Sequence, residues 1–205
     1  MSNKSIISIA KFISGIFNPF IIPFVAFLIL FLFTYLSIMP FQYKLIVLGI
    51  VYCFTILMPV ITIYLFKRIN KWSNEEFKER KNLFVPYLLT IIAYIFCLIL
   101  MYRMNMPYYM SGIILGSIIA MFIGIVINLK WKISGHMIGM GGVVGGLISF
   151  GFIFSYNPVW WLCGFILIAG LLGTSRIILG HHTVGQILTG FVVGFCSVVF
   201  AILYY

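Results

Sequence analysis

At 205 residues, 63% of them hydrophobic and 8% charged, the chain carries too little polar surface for a water-soluble globule. Its net charge of +10 sets 13 Lys and Arg against three glutamates, Glu75, Glu76 and Glu79, with no Asp at all. Chemistry built on paired carboxylates or a carboxylate metal cage is nearly excluded. Because the cations sit between apolar runs, anionic lipid head groups are nearer partners than nucleic acid.

Apolar runs of about 20 residues, enough to cross about 30 Å of hydrocarbon, recur along the whole length and predict one all-α membrane domain over residues 1–205. Met1 to Lys11 lacks a small-residue cleavage site and reads as a retained segment at the membrane surface. A first span is expected over Ser14–Ser37, with Pro19 and Pro23 near its start, and a second over Leu45–Phe66. Lys67–Leu83 is the longest polar stretch, and Ser73-Asn74-Glu75-Glu76 offers a capping-box start for a short helix. Pro86 suits the first turn of a third span ending near Arg103, and a fourth covers Tyr108–Leu129. Lys130-Trp131-Lys132 marks an interface. The fifth, sixth and last spans are expected over Met137–Tyr156, Val159–Thr174 and Val184–Tyr205. The total is seven, or six if the prolines make the first re-entrant.

Two spans separate each polar cluster from the next, so Lys78–Lys81, Lys132–His136 and Ser175–Gln186 fall on one side with the amino terminus. That side holds eleven of the Lys and Arg residues, and the other only Lys44 and Arg103. The positive-inside rule makes the crowded side cytoplasmic. Setting aside Lys78, Arg80, Lys81 and Arg176 as catalytic candidates still leaves seven against two.

The cysteines Cys53, Cys97, Cys163 and Cys196 lie singly in apolar runs, without metal-ligand or disulfide spacing, and read as small buried side chains. Gly135, Gly139, Gly141, Gly142, Gly145 and Gly146, with Gly190 and Gly194, read as close helix packing that draws the starts of two spans together, His136 and His182 with them.

The polar residues then define a chemistry. An interfacial Arg176 facing the bundle interior suits a phosphate with its planar fork of donors. A neutral imidazole can attack phosphorus while a second, charged one protonates the leaving oxygen. Ser134-Gly135 sets a hydroxyl and exposed N–H groups at a helix start, where anions bind. These are parts for phosphoryl transfer without a metal. Zinc held by His136, His181 and His182 is an alternative, without the Cys or carboxylate that usually accompanies such ligands. The Lys78 run read by itself is a lipid-head-group anchor.

Ser175-Arg176, five residues, His182, with Ile133-Ser134-Gly135-His136 and Lys78 before Val85-Pro86, resembles the three motifs of the phosphatidic acid phosphatase type 2 superfamily over about Phe77 to Gly190. That family includes bacterial lipid-phosphate phosphatases. The resemblance implies that His182 is the nucleophile forming a phosphohistidine and His136 the acid. Arg176, Ser175, Ser134, Gly135 and Lys78 would bind phosphate, with Arg80 and Lys81 standing in for the arginine that is Val85 here. Gln186 replaces the family's orienting Asp: it can accept a hydrogen bond from the imidazole but supplies no charge. No metal or other cofactor is implied. The expected protein is a lipid-phosphate phosphatase of the bacterial inner membrane, acting on a phosphomonoester or pyrophosphate. Its rival is a silent relative that binds or moves anionic lipids. The part played by His181 stays open, and so does the periplasmic alternative for the site.

Overall fold

The computed structural model describes residues 3–33, 35–71 and 84–204. It is an all-α bundle whose helices, in chain order, are α1 (Asn3–Ile16), α2 (Ile22–Phe33), α3 (Phe41–Asn70), α4 (Phe84–Arg103), α5 (Tyr108–Lys130), α6 (Gly135–Ile153), α7 (Val159–Ile178) and α8 (Val184–Tyr204). The six from α3 to α8 are long and apolar enough to cross a membrane, and the chain is an integral membrane protein. Lys78, Arg80, Lys81 and the expected capping box at Ser73 lie outside the described residues.

The expected first span is corrected. Helix α1 stops at Ile16, Asn18 Oδ1 accepts the Phe20 N–H at 3.2 Å in the bend, and α2 has only 12 residues. The prolines explain the break. Pro19 forces the bend, whereas Pro23 sits in the first turn of α2, where its missing N–H is tolerated. The segment is not a re-entrant loop either. Ser14 stands beside Arg176 at one end of the bundle. Ile63 of α3 lines a cavity at that same end, and Phe41 lies about 33 Å back along the helix. The chain therefore passes from end to end through α2, about 18 Å long, and the 3₁₀ turn Tyr35–Ile38.

Helix α3 runs on through a π turn at Cys53–Leu57, just before Pro59, which has no N–H for the regular ladder. Helix α7 is longer than expected, so Arg176 lies in its last turn and not in a loop. Of the cysteines, Cys97 is buried, but Cys163 and Cys196 lie exposed on the outer surface of the bundle.

Helices α6 and α8 form the central pair, and glycines set their distance. A Cβ on Gly141 or Gly145 would run into the backbone at Phe191 or Phe195. On the other side, Gly190 and Gly194 face the carbonyls of Ser134 and Ile138 just as closely. In lipid, where burial gives helices no hydrophobic drive, this backbone approach supplies the packing. It also brings the first turns of α6 and α8 together, which is where the polar residues are.

Candidate active site

The carboxyl end of α7 is closed by a Schellman turn. The Gly180 N–H donates to Ile177 O at 2.8 Å and the His181 N–H to Arg176 O at 3.1 Å. Gly180 has φ +66°, a conformation in which a side chain would be strained, so glycine permits the turn. The chain reverses there and carries His181 and His182 back over Arg176. Thr183 and Gln186 then start α8 with a capping box. Gln186 Oε1 accepts the Thr183 N–H at 3.2 Å, and Thr183 Oγ1 accepts the Gln186 N–H at 3.5 Å.

Gln186 Oε1 also stands 3.2 Å from His182 Nδ1. The shared atom fixes the chemistry of the ring. A backbone N–H only donates, so the Gln186 atom facing Thr183 is its carbonyl oxygen. That oxygen only accepts, so His182 Nδ1 carries the proton and Nε2 of the neutral ring holds the lone pair. Burial, then the nearby Arg176 guanidinium, push the His182 pKa down to about 4, against a smaller opposing effect of the Gln186 bond. The imidazole is therefore neutral at neutral pH.

His182 lines a cavity of about 500 Å³ together with His136, His181, Arg176, Gly135 and Lys132. Four of the residues named from sequence, His136, His182, Arg176 and Gly135, thus share one space. Trp131 lies against Gly185 and ties the α5–α6 connection to the start of α8. The histidines share the cavity too, yet among the described residues no three His, Cys, Asp or Glu side chains group as a metal site. Ser134 is fully buried between the cavity-lining residues Ile133 and Gly135. Ser175 is not brought in: its hydroxyl donates to Leu171 O at 2.8 Å, within its own helix.

Ser14, which carried no signal in the sequence, sits at the centre. Its Oγ accepts from Arg176 Nη1 at 2.7 Å, and its carbonyl oxygen lies 3.2 Å from His136 Nε2. A carbonyl only accepts, so the His136 proton is on Nε2. Tyr87 is a second unforeseen member, lining the cavity with its hydroxyl close to Gly135. Among the described residues, Arg176 Nε and Ser134 Oγ are buried without a hydrogen-bond partner. Leaving such groups unpaired costs about 1–3 kcal/mol each. An oxyanion beside Arg176 in the cavity would give its Nε a partner and would meet the positive end of α6.

No protein-family model matches the chain, and no curated protein or solved structure matches it either.

Proposed function

We propose that this protein is a lipid-phosphate phosphatase, related to the phosphatidic acid phosphatase type 2 superfamily, that works through a phosphohistidine at His182. The observation that supports this most is the tautomer of His182: Nδ1–H tied to Gln186 and a lone pair on Nε2, within the cavity that holds Arg176. Arg176 and the N–H groups at the start of α6 would hold the phosphate oxygens, with Ser134 beside them. His182 Nε2 attacks phosphorus, the P–O bond to the lipid breaks, and His136, made imidazolium by the bound phosphate anion with its Nε2–H kept on Ser14 O, gives its Nδ1 proton to the leaving oxygen. For a pyrophosphate the leaving group is the lipid monophosphate. Water then attacks the phosphohistidine, its proton goes to His136, and inorganic phosphate leaves with His182 restored. No step calls on a metal ion. Lys78, Arg80 and Lys81 are proposed to meet the head group from the basic segment before α4.

Lys67, Arg68, Lys71, Lys130, Lys132 and Arg176 lie toward the site end of the bundle and Lys44 and Arg103 toward the other, a bias that supports a site facing the cytoplasm in a bacterial inner membrane. Reporters fused to the two termini check this. The amino-terminal fusion is expected inside and the carboxyl-terminal one outside, and the reverse result would turn the site to the periplasm.

Phosphate release from a panel of lipid phosphates, in detergent with chelator, tests the activity. Release by the wild type that disappears in His182→Ala supports it. A folded wild type that binds anionic lipid and releases nothing supports the second reading, a lipid-binding relative, which the uncharged Gln186 favours.

A further inference from the structure

The cavity is much longer than a phosphate needs. Its cations and histidines gather at one end, and its walls then follow α5 from Asn128 back to Ser117, about 16 Å along the helix. On the way it passes Gly124 and Ala120, and Tyr94 and Val198 lie at the inner end. The floor has a physical cause. Gly116 lets α5 close on α8 at Val198, where a Cβ would meet the Val198 backbone at 2.8 Å, so the space shuts one residue below Ser117. Ser117 spends its hydroxyl on Ile113 O, so apart from the Tyr94 phenol the inner end offers a hydrocarbon surface.

We infer that this inner pouch is a ruler that admits a single hydrocarbon chain of limited length below a phosphate held at Arg176. The inference rests on the phosphatase reading for its head group only. At about 1.2 Å per bond, the advance per backbone bond of an extended polypeptide, a depth of about 16 Å takes a chain of about 13 carbons. Volume gives the same limit. About 500 Å³ holds about 17 groups of water size, at about 30 Å³ each, and a methylene is about that large. One such chain with its phosphate fills the space, and two chains of that depth do not fit. The charge is matched as well, because cations and histidines stand only at the mouth and the substrate is an anion with an apolar tail.

The test is binding of n-alkyl phosphates of graded length to the full-length protein in detergent, read as ligand-dependent thermal stabilisation. Affinity is expected to rise about fourfold per methylene, as burial predicts, and to level off near 13 carbons. A two-chain phosphatidic acid is expected to bind at least about tenfold more weakly than the best single-chain phosphate. Ala120→Phe, which fills the α5 wall, moves the plateau to shorter chains. Affinity that climbs steadily past about 18 carbons, or equal binding of the two-chain lipid, overturns the ruler. Phosphate release is followed in the same samples. A plateau without release keeps the ruler and overturns the phosphatase, and release that ignores chain length does the opposite.

Discussion

The two ends of the bundle use the same backbone device for different purposes. At the site end, α7 stops in a left-handed turn at Gly180; at the far end, α4 stops at Asn105 (φ 51°) and α6 is followed by Ser155 (φ 50°). The bonds match: His181 to Arg176 O at one end, Met106 to Met101 O and Tyr156 to Gly151 O at the other. The side chains beyond the turns differ. The far end closes on aromatic rings, with Tyr109 edge-on to Phe154 and Phe150 stacked on Phe154. The site end closes on Arg176, His136, His182 and Ser14 around a cavity. Backbone geometry is therefore common to both ends, and side-chain chemistry separates an end packed with aromatic rings from one with a polar cavity.

The largest expected effect breaks that difference outright. His182→Ala removes the proposed nucleophile, and phosphate release should fall at least about 10³-fold, with thermal unfolding unchanged to show that the bundle is intact. Arg176→Ala comes next, at about 10²–10³-fold, because a buried donor to developing negative charge is lost. Arg176→Lys should recover little of it, since Lys keeps the charge and loses the planar fork.

A carboxylate sharpens the comparison. Gln186→Glu keeps the shape of the side chain, both hydrogen bonds and the capping box, and adds the missing negative charge beside His182 and the start of α8. With Gln186, the acid limb of kcat/KM should lie near pH 4, where His182 takes up its proton and loses its lone pair. A neighbouring carboxylate favours imidazolium, so the limb should move up by about 1–3 pH units in the variant. Stability carries the same sign. An unfolded-chain histidine protonates from about pH 6.5 downward, while the folded one stays neutral to about 4. The wild type therefore loses stability as pH falls through that window, and Gln186→Glu should lose less. Asp at this position is one methylene shorter and would have to give up one of the two bonds. An unmoved acid limb would mean that His182 does not titrate in the rate-limiting chemistry.

How much of this could be read from sequence depends on the range of each signal. The long spans were legible because about 20 apolar residues have one use in a chain this hydrophobic. The glycine-packed pair α6 and α8, and the gathering of His136, His182 and Arg176, followed from small-residue spacing and span parity. Helix α2 was not legible, because hydropathy cannot distinguish one long span from a bend and a 12-residue helix. Ser14 was invisible for another reason: its contacts reach across 122 and 162 residues of sequence. One of three serines in an amphipathic helix, Ser14 gives no local sign of either. Ser175 shows the opposite failure. It sits next to Arg176, but successive positions on a helix point about 100° apart, and its hydroxyl turns to Leu171.

The smallest effects test whether the turns themselves differ between the ends. Gly180 has open space where a Cβ would stand, so Gly180→Ala meets only backbone strain at φ +66°. Left-handed strain of about 1–2 kcal/mol, offset by the lower entropy of unfolded Ala, leaves a destabilisation of about 1 kcal/mol. Ser155→Gly runs the other way, relieving strain at φ 50° while making the unfolded chain freer, for a gain of about 0.5 kcal/mol. Thermal unfolding should move down for the first and up for the second. Phosphate release should separate them far more. Gly180 sets the path of His181 and His182 over Arg176, so a relaxed turn there displaces the proposed nucleophile, and a displacement of about 1 Å is worth up to about 10²-fold in rate. Ser155 leads only into Asn157 and the start of α7, where the Asn157 side chain caps the Val159 N–H at 3.1 Å, far from the reacting groups. If both variants changed release equally, the site would depend on the stability of the whole bundle and not on the geometry of one turn.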